Sequence, residues 1–326
     1  MSETTAVTRP SAPDFATVTR EELVAWRAEE NLWRMSDAAR AVTGQPDPGA
    51  TIEWQSVPLP DREVSVRVCR PGPGGAGVTE HAGEGAAPAA LPLVLHVHGG
   101  GFVGTAAQCD WTTSHLAARL PAVVVSVEHR LLDPETPLTA AVDDAWDVLR
   151  HALTDPDRWG VDTTRIAVFG ESCGALISAL TALRARAAGL ALRAQVLVNP
   201  AVDVTETMFD CPSMAEYADT PTLAMPQLRL MGRLSAPAGT DARSLSPLYA
   251  DRLGELPPTL LVVPTADPLA DHGRRYADRL AIAGTPVRIT EYPDAPHAFL
   301  TLPAMVPQAE AAQAEIFQFL RAALGE

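Results

Sequence analysis

The fold is decided by the stretch Val168-Phe169-Gly170-Glu171-Ser172-Cys173-Gly174-Ala175. The apolar residues 165–169 predict a short strand and residues 175–188 predict a helix, so Ser172 lies at a strand-to-helix bend. Glycines on both sides let the backbone turn sharply, and the helix directs its N-terminal amides at the same point. Ser172 is therefore a candidate nucleophile. Because similar pentapeptides occur at ordinary strand-to-helix joints, the interpretation depends on partner residues.

Length and composition exclude several classes of protein. The 326 residues fit one α/β domain with an appended cap as well as two domains, and 47% apolar residues can supply a large core. No apolar run approaches the roughly 18 residues needed to cross a bilayer, and residues 1–14 lack a signal peptide. We therefore expect a cytoplasmic protein without a membrane partner. The net charge of −15 argues against a nucleic-acid partner.

Two residue types restrict the chemistry further. All 25 basic residues are arginine, which excludes a lysine Schiff base, a pyridoxal-phosphate anchor, a Walker-type lysine and a Ser-x-x-Lys dyad. The four cysteines, at 69, 109, 173 and 211, form no Cys-x-x-Cys pair, which is typical of reduced thiols. We expect no cofactor and no metal.

Buried strands alternate with helices along most of the chain, which predicts a parallel sheet covered on both faces. The pattern also predicts one N-terminal helix over about 19–42 and a surface excursion, rich in glycine, alanine and proline, over 71–92. Residues 205–248 interrupt the alternation and contain four methionines, which suit either a substrate roof or an irregular core filler.

Two side chains are eligible partners of Ser172, because ligands of parallel α/β sheets bind beyond the carboxyl ends of the strands. Asp267 follows the predicted strand 260–263, and His297 follows the predicted strand 287–292. The imidazole would take the serine proton and return it to the leaving group, while the carboxylate fixes its tautomer. Asp294, three residues before His297, competes with Asp267 for this role but does not end a strand of its own.

Backbone donors for a tetrahedral oxyanion are predicted at two places. Gly99, Gly100 and Gly101 follow a buried strand and His98, and their N–H groups are unobstructed by side chains. The N–H of Cys173 adds a donor from the bend itself.

Other interpretations compete for the same residues. Gly99-x-Gly101-x-x-Gly104 with Glu128 resembles a dinucleotide fingerprint, but that leaves Ser172, Asp267 and His297 unexplained. His96 and His98 share one strand face and could bind a metal, but no third ligand follows at useful spacing, which favours a structural role. We expect Glu171 to be a solvated or locally hydrogen-bonded acid.

Taken together, these motifs resemble the hormone-sensitive-lipase family of esterases. The matching motifs are His98-Gly99-Gly100-Gly101-Phe102, Gly170-Glu171-Ser172-Cys173-Gly174, Asp267-Pro268-Leu269 and His297-Ala298-Phe299. The resemblance covers the chain from about Thr51 to the end. It implies an eight-stranded, mostly parallel α/β-hydrolase sheet flanked by helices. It also implies an oxyanion hole at Gly100, Gly101 and Cys173.

The same resemblance implies four parts of the chain. They are N-terminal cap helices over 1–48, the first part of the core over 49–204, a cap insert over 205–245, and the second part of the core over 246–326. Side chains from both cap parts and from the motifs are candidates for an acyl pocket, although packing of cap on core explains them equally well: Trp33, Phe102, Met208, Phe209, Met225 and Phe299.

The sequence departs from the family at three positions. Cys173 stands where alanine is usual, His129 where tyrosine is usual, and the segment from Arg130 to Glu135 is one residue longer. We expect a serine hydrolase that cleaves small-molecule esters of small to medium acyl chain through an acyl-enzyme on Ser172. A tailoring enzyme that uses the same triad for acyl transfer, cyclisation or elimination, and a receptor without chemistry, are the alternatives. A homodimer is left open.

Overall fold

The computed structural model describes residues 8–72 and 89–325. The strands are β1 Ala50–Pro58, β2 Glu63–Pro71, β3 Leu91–Val97, β4 Val123–Val127, β5 Val161–Glu171, β6 Ala194–Val198, β7 Thr259–Ala266 and β8 Val287–Pro296. The α-helices are α1 Arg20–Arg34, α2 Asp37–Thr43, α3 Asp110–Arg119, α4 Leu138–Thr154, α5 Pro156–Trp159, α6 Cys173–Ala187, α7 Pro212–Glu216, α8 Met225–Ser235, α9 Ala270–Ile282 and α10 Gln308–Leu324.

The strands form one sheet in the order β1-β2-β4-β3-β5-β6-β7-β8. β1 and β2 form an antiparallel hairpin, β2 pairs antiparallel with β4, and the remaining neighbours are parallel. The prediction of an eight-stranded, mostly parallel sheet is confirmed. Because β3, β5, β7 and β8 run in the same direction, the loops that follow them meet at one edge of the sheet.

Helices cover both faces of the sheet and bury a separate apolar cluster on each. On β3, Leu93 and Leu95 point into the cluster that contains residues of α4, α6 and α9, while Val94 points into the cluster beneath α3 and α10. Successive side chains of a strand alternate between its faces, so an unbroken apolar strand fills both clusters at once. All three of these side chains are fully buried.

The prediction of one continuous N-terminal helix is wrong. The chain forms α1 and then α2, which begin with separate caps. Thr19 and Glu22 form a reciprocal capping box at the start of α1, whereas the side chain of Ser36 accepts a hydrogen bond from the N–H of Ala39 and starts α2. The polar cap at Ser36 overrides the apolar periodicity that continues across it.

The predicted insert contains a short 3₁₀ turn, Glu206–Asp210, followed by α7 and α8. Met208, Met214 and Met231 are buried in the same apolar cluster as Leu23 of α1 and the central strands. These three methionines therefore fill the core, which is one of the two alternatives that the sequence left open. The division into cap and core stays a prediction.

Most of the predicted excursion over 71–92 lies outside the described residues, which omit 73–88. Among the residues that the structure does describe, no helix combines the length and the apolar character that crossing a membrane requires.

A buried carboxylate on α4 joins that helix to two other segments. Asp144 is 1% exposed and accepts hydrogen bonds from the guanidinium of Arg62 and from both the backbone N–H and the guanidinium of Arg130. Its neighbour Asp143 pairs with Arg184, and both of those side chains are more than 40% exposed. The two aspartates therefore differ chiefly in burial.

Asp144→Ala should lower the free energy of unfolding by about 2 to 3 kcal/mol, because it removes a buried acceptor that two guanidiniums share and leaves the backbone N–H of Arg130 without its partner. Asp143→Ala is the matched control on the same helix and should cost less than about 1 kcal/mol, because its ion pair is open to solvent. Urea denaturation followed by circular dichroism measures both values. Equal losses of unfolding free energy in the two variants would contradict the conclusion that the buried Asp144 stabilises the fold more than the exposed Asp143.

Candidate active site

Ser172 lies in the turn between β5 and α6 and is 4% exposed. Its φ of 54° and ψ of −118° are uncommon for a residue with a side chain, and holding them costs on the order of 1 to 3 kcal/mol. The flanking glycines make this turn sterically possible: a Cβ on Gly174 would lie 2.2 Å from the carbonyl oxygen of Val97, and one on Gly170 would lie 2.3 Å from the carbonyl oxygen of Gly174. The strained turn is therefore enclosed by backbone on both sides.

Three side chains that are distant in sequence meet at this turn. The Nε2 of His297 is 2.9 Å from the Oγ of Ser172, and its Nδ1 is 2.8 Å from the Oδ2 of Asp267. The other carboxylate oxygen of Asp267 accepts a hydrogen bond from the N–H of Leu269 at 2.8 Å. All three side chains are buried. The carboxylate fixes the ring with Nδ1 protonated, which leaves Nε2 free to accept the serine proton.

The competing carboxylate does not join this group. Asp294 is exposed, has a φ of 58°, and its backbone N–H donates to the hydroxyl of Thr265. No hydrogen bond joins its side chain to His297. The structure therefore brings Asp267, and not Asp294, to the imidazole.

The triple-glycine turn packs directly against the serine turn. A Cβ on Gly99 would lie 2.8 Å from the carbonyl oxygen of Glu171 and 3.3 Å from the Cβ of Ser172. Gly100 and Gly101 have φ values of 116° and 64°. Cys173 is the first residue of α6, so its N–H is one of those that a helix leaves unpaired at its start. Gly99, Gly100 and Gly101 thus line the same cavity as Ser172, and Cys173 directly follows the serine.

Neutral histidines support the glycine turn from behind. The rings of His98 and His129 are stacked with their centroids 4.3 Å apart, and the Nδ1 of His98 donates to the carbonyl of Gly99 at 2.9 Å. Burial lowers the pKa of His98 well below its usual value and also lowers the pKa of His129, so neither ring carries charge. His129 thus takes the family tyrosine's place by packing on the loop.

The longer segment after His129 is also anchored. Asp144 holds Arg130, and the carboxylate of Asp133 accepts hydrogen bonds from the N–H groups of Glu135 and Thr136. The extra residue is accommodated in this turn.

Burial raises the pKa of the Cys173 thiol, which keeps it neutral beside the nucleophile.

A cavity of about 420 Å³ opens onto the serine. Its polar wall contains the three glycines, Ser172 and His297, together with side chains that sequence analysis did not single out: Arg9, Arg34, Gln108, Asn199, Thr222 and Gln227. The apolar wall comes chiefly from α2 and from two loops, and includes Ala38, Val42, Leu223, Leu302 and Met305. Helix periodicity places an arginine such as Arg34 on the solvent side of its helix. Its position at the cavity could therefore be learned only from how α1 packs in the structure.

Of the six predicted pocket residues, only Trp33 lines this cavity. Phe102, Met208 and Phe299 are almost fully buried and pack within the two apolar clusters or beside them. Phe209 and Met225 are partly buried against the larger cluster. The prediction of pocket contacts is corrected for these five, because burial in the core and burial around a ligand require the same kind of side chain.

The alternative readings of the motifs fare differently. The carboxylate of Glu128, directly after β4, accepts a hydrogen bond from the N–H of Ala106 in the segment between β3 and α3, and is not free for a ribose. Glu171, which we expected to be a solvated or locally hydrogen-bonded acid, is 2% exposed, so it is not solvated, and its Oε1 forms no hydrogen bond with the described residues. Its Oε1 lies 3.7 Å from the Nε2 of His96.

One buried group could in principle hold a metal ion. The ligand atoms of His96, Cys109 and Glu171 lie within 4.8 Å of one another. Burial raises the pKa of the Cys109 thiol well above its usual value, which opposes the thiolate form that a metal requires. The group is better explained as buried packing beneath the serine turn.

Comparison with known proteins agrees with this geometry. Residues 94–301 match the family model described as alpha/beta hydrolase fold. The chain is 37% identical to esterase LipI of Mycobacterium tuberculosis over 228 residues, 68% of this chain and 69% of that protein. It is 30% identical to an ethyl acetate hydrolase of Pseudomonas putida over 67% of this chain and 69% of that one.

The solved structures lead to the same assignment. An α/β-hydrolase enzyme from the metagenome of Lake Arreo, Spain, superposes with a TM-score of 0.82 at 28% identity, covering 97% of this chain and 93% of that chain. The match to the family model, the relatives and the order of the motifs agree with one another. The chain therefore belongs to the hormone-sensitive-lipase family of α/β-hydrolases.

Proposed function

We propose that this protein, a carboxylic ester hydrolase, cleaves esters of small to medium acyl chain through an acyl-enzyme on Ser172. The observation that carries the proposal is the unbroken hydrogen-bonded series from Ser172 through His297 to Asp267, with distances of 2.9 and 2.8 Å. Serine is a weak nucleophile at its ordinary pKa, so an adjacent base of fixed tautomer is what activates it.

The reaction takes place in two halves. His297 removes the proton of the Ser172 hydroxyl as its oxygen attacks the ester carbonyl, and then gives that proton to the departing alcohol. A water molecule, activated by the same imidazole, then attacks the acyl-enzyme and releases the acid. Asp267 stabilises the imidazolium in both halves without itself becoming protonated.

The backbone N–H groups of Gly100, Gly101 and Cys173 are proposed to hold the tetrahedral oxyanion. They are fixed in place by the sharp glycine turn and by the start of α6, so little reorganisation is needed when negative charge develops on the carbonyl oxygen. Each such donor contributes on the order of 3 kcal/mol to lowering the barrier.

The size of the acyl group is argued from the cavity. About 420 Å³ is near the lower end of the range for small-molecule sites, and it must hold both parts of the ester. The relative named ethyl acetate hydrolase is consistent with short acyl and alcohol groups. The location of the protein and a homodimer remain predictions. The prediction of a reducing, cytoplasmic location rests on four cysteine thiols that are buried and unpaired.

Ser172→Ala should lower kcat for 4-nitrophenyl butyrate by a factor on the order of a million, because no other nucleophile can form the acyl-enzyme. A fluorophosphonate probe should label the wild-type protein at Ser172 and leave the variant unlabelled. A wild-type protein that resists the probe while remaining folded by circular dichroism would favour the receptor alternative.

Asp267→Asn and Asp294→Asn separate the two candidate orienting groups. The first should lower kcat by roughly 10⁴, because the imidazole loses its fixed tautomer. The second alters an exposed carboxylate without a bond to the ring and should change kcat by less than about twofold. Steady-state kinetics with one ester measure both, and a larger loss for Asp294→Asn would refute the assignment.

A series of 4-nitrophenyl esters from acetate to palmitate tests the acyl-chain limit. We expect kcat/KM to peak among the short and medium chains and to fall steeply for the longest, because a cavity of about 420 Å³ is too small for the longest acyl chains together with the alcohol. A maximum at palmitate would contradict the proposed size limit and leave the triad assignment standing.

A further inference from the structure

The cavity wall beside the proposed oxyanion hole carries an arginine. Arg34, the last residue of α1, lines the cavity, and its Nη1 lies 3.2 Å from the position that a Cβ on Gly100 would occupy. The guanidinium is thus in contact with the glycine turn that is proposed to hold the oxyanion. Its side chain is 21% exposed, so it is largely removed from bulk water but open to the cavity.

The positive charge of this wall is only partly neutralised. The buried carboxylate of Glu30 accepts two hydrogen bonds from Arg9 and one from the Nε of Arg34. Arg9 also lines the cavity, so one carboxylate serves two guanidiniums. Glu30 can therefore balance only one of these two positive charges.

The donors of Arg34 are not all used by the protein. Its Nε donates to Glu30 and its Nη1 donates to the side chain of Gln108, at 3.0 Å each. Within residues 8–72 and 89–325, its Nη2 forms no hydrogen bond, yet this atom keeps some accessible surface, and the residue lines the cavity. A guanidinium with an open Nη2 and a vacant side of Nη1 is a natural partner for a carboxylate.

Two other titratable side chains line the cavity, Glu171 and His297, and neither forms a hydrogen bond or an ion pair with Arg34. The Oε1 of Glu171 lies 3.7 Å from the Nε2 of His96, and His297 is bonded to Asp267 and Ser172. Burial lowers the pKa of Arg34, which shows that its cation lacks full solvation; Glu30 acts in the opposite direction. A second, uncharged donor, the Nε2 of Gln227, lies 2.8 Å from the Cβ position of Gly101.

We propose that Arg34 binds a carboxylate carried by the substrate a short distance from the ester bond. The preferred substrates are then esters with a free carboxylate, such as half-esters of short dicarboxylic acids, over neutral esters of equal length. This inference rests on the proposed ester hydrolysis at Ser172. A charge-assisted, partly desolvated pairing of this kind favours the anionic substrate by on the order of tenfold to a hundredfold in kcat/KM.

Arg34 has one competing role, which is to support the glycine turn. Its Nη1 holds Gln108, and the amide of Gln108 donates to the carbonyl of Gly99 at 3.0 Å. A supporting role affects every ester equally through kcat. A carboxylate-binding role affects charged esters alone and acts mainly on KM, so the two roles are separable by experiment.

The test compares matched pairs of esters in the full-length protein. In one arm the carboxylate is in the acyl group, as mono-4-nitrophenyl glutarate against 4-nitrophenyl pentanoate. In the other it is in the alcohol, as 3-acetoxypropanoate against butyl acetate, followed by acid release in a pH-stat. We expect the wild-type protein to prefer the charged member of at least one pair by at least about tenfold.

Three variants locate the preference. Arg34→Gln should abolish the charged-to-neutral ratio of kcat/KM, with the larger change in the KM of the charged ester, whereas Arg34→Lys should retain part of the ratio. Gln108→Ala should lower both members of a pair together. Arg40→Gln, which removes an exposed charge from α2 outside the cavity, is the matched control and should leave the ratio unchanged.

Two results would overturn the inference: cleavage of neutral esters with no preference in either pair, or an equal loss for charged and neutral esters in Arg34→Gln. A protein that cleaves no ester at all would refute the proposed function instead. In that event calorimetric titration with glutarate decides the carboxylate site. Binding to the wild-type protein and not to Arg34→Gln would support it, and no binding would refute it.

Discussion

Two turns of backbone touch at the limit of steric contact, and the active site depends on that contact. The turn after β3 lies so close to the turn after β5 that any side chain at Gly99 would strike the carbonyl of Glu171. The parallel pairing of these strands, with Val97 opposite Gly170, sets the approach. Glycines then let the turn after β3 approach Ser172 closely, as the proposed oxyanion hole requires. Without that pairing the donors and the nucleophile would face different volumes.

The fold and the triad were predictable because their signals are local. Each of Ser172, Asp267 and His297 follows a strand that the sequence predicts, and a parallel sheet brings such strand ends together at one edge. The glycine run could likewise be recognised, since close backbone approach requires it. The break between α1 and α2 was missed because apolar periodicity continues through Ser36, and a single cap decided the outcome there.

The cavity was much less predictable. Phe102 and Phe299 flank catalytic motifs and are large and apolar, yet both point into packed clusters. The sequence pattern indicates that a side chain is removed from water. It does not indicate whether a ligand or a neighbouring helix covers that side chain. Arg34 shows the converse. Its charge suggests solvent, but α1 is docked against the glycine turn, where the carbonyl oxygen of Asn31's side chain accepts a hydrogen bond from the N–H of Gly104.

The larger apolar cluster runs without a break from the central strands into α1 and the insert over 205–245, both of which also line the cavity. Leu23 of α1 and Met208 and Met231 of the insert share it with Leu95 and Val97 of β3. Moving these segments away from the sheet would expose to water the same hydrocarbon that stabilises the sheet. The free-energy cost grows with the apolar area exposed, so the packing that stabilises the fold also restrains any widening of the entrance to Ser172.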